Sequence, residues 1–575
     1  MNSTGMSRAL IVCVLCGAPM ASAQVLSFTE VSEESGIVAF NHNPFNQPHG
    51  HNLSGGAVGD FNNDGWQDLF VISDANRPDR LFMNNGDGTF TERASAWGIA
   101  NLHYGTSATA ADYNGDGWMD ISVSSAGSLD GIPRAGENLV YRNNGDGTFS
   151  EVAEQLGLAN RVNAFDPMCV AFGDYDEDGD LDLFSTAYST GQQGNRLYRN
   201  LMKETGEERF EDVTDEAGLT PHLDRFVSGF AVSFADMERD GILDIVLIAD
   251  HGTSRYFRGN GDGTFTNATS TVERLLAANG MGIAIGDFDR DGLFDFYASS
   301  IEYEGVPNSG NLLYRQLPQG GFEEVGIEMG VNRAGWAWGV LMVDVDHDGY
   351  EEILSTQNAD TTRARMYKRS GRSGYAQIAE ACGFDHFLGG RGFVNFDMDN
   401  DGDQDLVVFT SGGFEAKPIG VWRNDLSGPG TNWLRVELDT TVRESLAPGG
   451  FGAVVRILSD KGPHMQMIDG GPNHCSSGEH GAHFGLGPVD TLDWVRVEWL
   501  DGTSTTIPGV ATNQILKVRA PFHPADFNGD DTLDLADVAG FVSAFVGAVP
   551  SADLNGDGVF DLADVQTYAR WFSGV

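Results

Sequence analysis

Seven copies of one nine-residue acidic segment, each bracketed by short strand-like runs, predict a mainly β fold: a seven-bladed β-propeller. Alternating strands after the seventh copy predict a small β domain, and two longer acidic segments near the C-terminus predict a small α-helical module. Glycine is 75 of 575 residues, well above ordinary usage, as many turns between short strands require.

The N-terminus carries a secretory signal pattern. Arg8 supplies a positive start, residues 9–18 an apolar stretch, and Ala21, Ser22 and Ala23 a small-residue cleavage site. The apolar run is too short to cross a bilayer, and no later segment approaches about 18 consecutive apolar residues. Residues 1–23 are therefore expected to be removed near Ala23, leaving a soluble protein that is secreted, periplasmic or at the cell surface. Cys13 and Cys16 would leave with the signal. Cys169, Cys382 and Cys475 remain, too few and too scattered for a disulfide framework. A formal charge of −48, from 83 acids against 35 bases, excludes nucleic acid and anionic membrane as partners, since both need basic patches.

The first acidic copy, Asp60–Asp68, has oxygen donors at positions 1, 3, 5 and 9 (Asp60, Asn62, Asp64, Asp68) and glycine at position 6. The set recurs at Asp112, Asn114, Asp116 and Asp120, and at Asp174, Asp176, Asp178 and Asp182. It returns at Asp236, Glu238, Asp240 and Asp244, then at Asp287, Asp289, Asp291 and Asp295. The last two are Asp344, Asp346, Asp348 and Glu352, then Asp397, Asp399, Asp401 and Asp405. Alternate residues of a tight turn point inward, and hard oxygens suit calcium. These positions hold 26 carboxylates, which would repel one another without counter-ions.

Around each copy the chain repeats about four strands. A small, apolar run precedes it ("GGAVG", "MGIAIG"), a hydrophobic run follows ("LFVIS", "IVLIA"), then come "RLFMN" or "NLVYRN" and a glycine turn into "FTERASAWGI". An unpaired copy of the fourth strand at Phe28 can complete the last blade, which ends at "GVWRND". This predicts a ring closed over residues 24–425 with no open sheet edge.

These repeats resemble the FG-GAP/VCBS repeats of the integrin α-subunit propeller. The resemblance implies one calcium ion per loop, with a further ligand from the position 7 carbonyl: Trp66, Trp118, Asp180, Ile242, Leu293, Tyr350 and Asp403. Glu238 and Glu352 depart from the pattern while keeping four carboxylates in their loops.

Residues 426–520 contain "NWLRVELD", "AVVRIL", "WVRVEWLDG" and "QILKVRA", alternating strands of a small β domain. With "HFGLG" they resemble the ASPIC/UnbV domain. Its middle, "GGPNHCSSGEHGAH", reads as a loop with solvated histidines. The alternative is a zinc site drawn from His474, Cys475, His480 and His483.

Residues 521–575 hold two 12-residue acidic segments, each followed by a helical stretch, the pattern of an EF-hand loop. Their positions 1, 3, 5, 7, 9 and 12 are Asp526, Asn528, Asp530, Thr532, Asp534 and Asp537, and then Asp553, Asn555, Asp557, Val559, Asp561 and Asp564. The pair resembles a dockerin-type module, which implies two more calcium ions, about nine in all, and a cohesin-like partner. A calcium-stabilised cap or sorting tag is the alternative. Asp531 stands where such loops have glycine, and Leu535–Ala536 and Leu562–Ala563 stand where dockerins carry polar partner-reading pairs.

Nucleophile elbows, H-E-x-x-H and phosphate-binding glycine loops are absent from the sequence. Segments before each inner strand lie at the end of the propeller opposite the acidic loops. They supply His103, Tyr104, Asp166, Phe226, Trp336, Trp338 and Arg391, residues suited to a glycan or protein ligand unless some plug the channel. The reading is a calcium-binding recognition or adhesion protein with a C-terminal tether. The alternative is a polysaccharide-acting lyase or hydrolase, with Asp166 as its acid.

Overall fold

The computed structural model describes residues 24–41, 54–73, 77–126, 137–159, 167–188, 194–223, 226–277, 279–306, 309–358, 362–371, 374–386, 388–410, 417–522, 525–527, 535–552, 554 and 559–573. The protein is mainly β, with one four-stranded antiparallel sheet for each short acidic segment, an arrangement consistent with a propeller. The first sheet runs Gly56–Gly59, Asp68–Val71, Arg80–Asn84 and Phe90–Glu92, in sequence order. Five more repeat this meander. The last, Gly390–Phe396, Asp405–Thr410 and Gly420–Asn424, takes its fourth strand from the other end of the chain: Phe28–Glu30 pairs with it, Phe28 opposite Asn424.

Burial explains which strand lies where. Inner strands such as Gly105–Ala111 and Pro167–Gly173 are buried at every residue, which small residues permit where the sheets converge. Fourth strands that begin with phenylalanine bury only that residue, as in Phe210–Asp212, while Tyr375 at the head of the sixth is half-buried. Each inner strand neighbours the next, and Gly390–Phe396 returns to Gly56–Gly59.

One side chain joins most neighbouring sheets. Asn84, at the end of a third strand, donates its backbone N–H to Asp68 Oδ1 at 2.7 Å and its Nδ2 to the Met398 carbonyl of the preceding acidic loop at 2.9 Å. Asn143 reaches Phe61 O, Asn200 reaches Tyr113 O, and Asn424 reaches Val345 O, at 2.8, 3.0 and 2.8 Å. Gln316 makes the same contact to Met237 O at 2.8 Å, and Arg369 substitutes with a guanidinium bond to Phe288 O. Gly259 holds this place in the fourth sheet and has no side chain to offer. The bond from Asn84 to Met398 spans the join between the last and first sheets.

The second β domain packs Asn432–Asp439, Ala482–Gly487 and Gln514–Arg519 against a four-stranded sheet of Val454–Ser459, Gly462–Met467, Thr491–Glu498 and Ser504–Ala511. Leu434, Val455, Phe484 and Val497 fill its core. It sits on the acidic loops: a Cβ on Gly402 would meet Trp433, one on Gly179 the Glu444 carbonyl, and one on Gly349 His464. Two helices, Leu535–Val546 and Leu562–Ser573, close the chain, with Phe541 and Tyr568 stacked at 4.0 Å between centroids. Among the described residues no helix is long and apolar enough to cross a membrane.

Asn200→Ala would leave the Tyr113 carbonyl buried without its partner. It is expected to cost about 1–3 kcal/mol in chemical denaturation, against less than about 0.5 kcal/mol for Ser150→Ala on an outer strand. Equal effects would remove the inter-sheet role of this asparagine.

Candidate metal centres and the channel plug

The acidic loops share one backbone solution. In the first, Asp60 accepts the Asp64 and Gly65 N–H groups at 3.0 and 2.7 Å. Asp64 Oδ1 accepts the Trp66 N–H at 2.9 Å, and Asp68 accepts the N–H groups of Phe61 and Asn84 at 3.0 and 2.7 Å. The loop therefore curls around its own carboxylates. Two left-handed residues make the curl: glycine at position 6, as at Gly65 (φ +87°), and position 4, held by Asn63, Glu177, Arg239, Arg290, His347 and Asn400, with Gly115 in the second loop. Position 6 is legible in the sequence as glycine; position 4 is not, because four different side-chain types (Asn, Glu, Arg and His) share the conformation.

The position 9 carboxylates are buried at the head of the second strands: Asp68, Asp182, Asp295 and Glu352 are all 0% exposed. Burial pushes the Asp68 carboxyl up to about 8 and holds Asp120, Asp182, Asp295 and Asp405 well above the usual carboxylate range. Several oxygens in these loops are buried without a hydrogen-bond partner, including Asp120 Oδ2, Asp176 Oδ1, Asp178 Oδ2, Asp289 Oδ1 and Asp295 Oδ2. Asp174, Asp176 and Asp182 bring ligand oxygens within 4.8 Å of one another, as do Asp287, Asp289 and Asp291. Converging, partnerless, buried carboxylate oxygens fit a hard divalent cation.

Loop six departs from this. Lys368 Nζ bonds Asp346, lies 2.6 Å from Asp348 and 3.7 Å from Glu352, and so places an internal cation among the expected ligands. Glu352 still accepts the Val345 N–H at 3.1 Å, the bond Asp makes elsewhere. Glu238, the other departure, is turned toward Tyr256 and Arg258, at 3.1 and 3.2 Å. Lys368 occupies the strand position held by Arg142, Arg199, Arg258, Arg315 and Arg423 in other sheets. The recurring "YRN" was the signal for these basic neighbours, and the sequence reading did not use it.

In the C-terminal module Asp537 and Asp564, the position 12 residues, are 0% exposed. Each accepts a backbone N–H from near the start of its segment, Phe527 and Leu554, both at 2.8 Å. Val559 and Asp561 are also described. Asn528, Asp530, Thr532, Asp534, Asp553, Asn555 and Asp557 lie outside the described residues.

The segment read as a loop with solvated histidines is a plug. Asp469–Gly481 runs from the second β domain into the channel lined by the inner strands, and His474 and Cys475 are 0% exposed. Ser477 O accepts the Val58 N–H at 3.2 Å, Asn473 Nδ2 reaches Phe393 O, and Cys475 O accepts the Ala108 N–H at 3.4 Å. The channel supplies backbone donors and acceptors, and bare glycines let the plug approach: a Cβ on Gly55 would lie 1.8 Å from Cys475 O, and one on Gly392 2.1 Å from Ser476 Oγ. Burial with these partners, rather than hydration, is why the expectation fails. The proposed zinc quartet also separates. His483 faces Gly402 O at 2.9 Å and His480 packs on Phe451, while His474 and Cys475 continue to the channel centre.

At the end opposite the acidic loops, three expected ligand-face residues turn inward. His103 is buried against Asp79 at 2.7 Å, Trp338 packs on His474 at 4.9 Å, and Arg391 lies 4.3 Å over Trp338. Trp336, 44% exposed and stacked on Trp338, remains at the surface, with Phe226 at 60% and Tyr104 half-buried. Tyr303, 46% exposed, accepts from Asn279 Nδ2 at 3.3 Å and lies two residues after Ile301, which bridges Trp336; it follows a second strand and so was not among the expected residues. Asp166 lies outside the described residues.

Residues 60–123, 129–185 and 236–298 match the FG-GAP-like repeat family, and residues 444–523 match the ASPIC and UnbV family. The chain is similar to cartilage acidic protein 1 of Homo sapiens, 28% identical over 445 residues covering 74% of this chain and 64% of that protein. The Xenopus tropicalis counterpart is 28% identical over 440 residues, covering 74% of this chain and 65% of its own. The chain thus spans somewhat under two thirds of the length of these relatives. Among solved structures, BBS1N in complex with ARL6DN aligns with a TM-score of 0.35 and 11% identity, covering 67% of this chain and 96% of that chain.

Gly392→Val would drive a side chain into Ser476. It is expected to expel the plug, opening residues 472–480 to limited proteolysis and costing about 1–3 kcal/mol. An unchanged cleavage pattern would show that the plug stays seated despite the added side chain.

Proposed function

We propose that this chain is an exported recognition protein: a calcium-stapled seven-bladed propeller that binds an extracellular glycan or protein at the end away from its acidic loops. The observation that carries the reading is the division of the two ends. The second β domain covers the loop end and its plug fills the channel, so an incoming partner meets the opposite end. There Trp336, Tyr303 and Phe226 offer exposed aromatic faces, and Trp336 is held flat by the buried Trp338 beneath it. A fixed, half-exposed indole suits stacking on a sugar ring or an apolar side chain.

The seven sheets serve as the seven blades, with Phe28–Glu30 as the closing strand. Calcium, held by the carboxylates at positions 1, 3, 5 and 9, would neutralise the buried acids of each loop. In loop six Lys368 does part of that work already. The tail is read as a dockerin-like calcium-binding tether for a cohesin-like partner. Its two helices pair around Phe541 and Tyr568, and Leu535 and Leu562 are 80% and 66% exposed, as a docking face requires. Cleavage near Ala23 would release the mature chain. The relatives' name, with its cartilage and its acidity, agrees with an extracellular setting for an acidic protein.

Chelator is expected to lower the melting temperature of the mature protein by many degrees, reversibly on adding calcium, since each site filled to about 100-fold above its Kd adds about 2.7 kcal/mol. Lys368→Met should deepen the loss in chelator, because it strips loop six of its internal cation. A melting curve indifferent to chelator ends the calcium reading.

The recognition reading is tested by retention on a panel of extracellular polysaccharides and matrix proteins in millimolar calcium. Trp336→Ala and Tyr303→Ala should each weaken retention by about tenfold or more while leaving the melting curve intact. Retention unaffected by both moves the binding site elsewhere. Shortened polymer products would instead make the protein an enzyme.

A further inference from the structure

Three soft ligands far apart in the sequence converge where the plug crosses the channel. Cys169 lies on the third inner strand, Pro167–Gly173, and His474 and Cys475 lie on the plug. All are buried, at 2%, 0% and 0% exposure. Cys169 Sγ stands 3.9 Å from Cys475 Sγ, and the two sulfurs and the imidazole bring ligand atoms within 4.8 Å of one another. Two sulfurs each about 2.3 Å from one tetrahedral ion stand about 3.8 Å apart, so the spacing of the two sulfurs already matches a shared ion.

The surroundings prepare the same chemistry. The Cys475 N–H donates to Cys169 Sγ at 3.1 Å, which fixes the direction of that sulfur toward the plug. His474 Nδ1 lies 3.0 Å from the Met281 carbonyl, and a ring that donates there carries its lone pair on Nε2. A backbone carbonyl in that place is the usual partner of a metal-binding histidine. Cys475 itself is held at φ +63°, a left-handed conformation that a β-carbon disfavours, by the close packing of its carbonyl on Gly55. Met168, Phe230 and Trp338 make the remaining wall apolar.

We infer that Cys169, His474 and Cys475 form a binding site for a thiophilic d10 cation, zinc(II) or copper(I), which pins the plug to the third inner strand. Both ions accept thiolate and imidazole together. Burial and the neighbouring Cys169 hold the empty Cys475 thiol protonated, against the nearby Arg391 guanidinium. Binding therefore forms two S–metal bonds and one N–metal bond and releases two thiol protons to solvent, with no change of oxidation state. Cys382, buried against Met366 at 3.6 Å, takes no part.

The test uses the full mature chain, prepared reduced and metal-free in excess calcium. It is titrated with zinc(II), and in an anaerobic arm with copper(I). One equivalent of either ion should bind and protect two thiols from a thiol reagent. Cys382→Ala should bind as the parent does, and Cys169→Ser should weaken binding by at least about tenfold. His474→Gln keeps both thiols and should also weaken it, which preserves the test if Cys169→Ser disturbs the channel. The inference is overturned if binding survives unchanged in both variants or is absent from the parent. It is also overturned if protein collected after export without reductant carries a Cys169–Cys475 disulfide.

Discussion

The whole ring depends on one buried carboxylate per sheet. The ninth residue of each acidic loop is also the first residue of a second strand. At Asp68, Asp182, Asp244 and Asp405 it accepts a backbone N–H from its own loop and another from the end of the third strand, as Asp405 does from Met398 and Asn424 at 2.9 and 2.7 Å. One side chain thus fixes the loop, the strand pairing and the start of the next turn. Leaving a carboxylate so deep has a cost that backbone donors only partly offset. Several of the loops' other oxygens, such as Asp176 Oδ1, Asp178 Oδ2 and Asp289 Oδ1, are buried beside it without a hydrogen-bond partner. Asparagine then carries the order from sheet to sheet, because the residue whose N–H holds the carboxylate also reaches the preceding loop.

The plug solves a second problem, the channel. Seven converging inner strands leave a cavity along the axis, and apolar cavities weaken a fold. Here the second β domain sends a polar strand of chain down it, satisfied by inner-strand amides and carbonyls. The two domains are therefore one packed body along the axis. The loop end is covered and the opposite end is left as the free surface. A space of about 120 Å³ persists beside the plug, lined by Ile283, Val340, Asp469 and Glu351.

Lys368 and the arginines in the same strand position qualify how the loops should be regarded. The acidic loops are not electrostatically uniform. In six of the seven sheets the residue at this strand position is Arg or Lys, and in the first it is Met83. A basic residue some 20 positions downstream of the ninth loop position thus offsets part of the negative charge in those loops.

The sequence by itself determined the repeat, the four strands of each unit and the place of the fourth strand at Phe28, because strand alternation and a rigid acidic turn are local and recur in register. It also marked the carboxylates of every loop, since spacing within nine residues fixes which side chains share a turn. What it could not determine were contacts between segments hundreds of residues apart. The histidines of residues 474–483 looked solvated because their partners, Met281 O and Gly402 O, belong to other sheets. His103, Trp338 and Arg391 looked like a ligand face because nothing local shows which way a side chain at a strand's entrance will turn. Cys169 and Cys475 looked unrelated across 306 positions. Only the closure of the ring around a chain from the next domain brought them together, because the contact belongs to the axis of the assembly and not to any stretch of sequence.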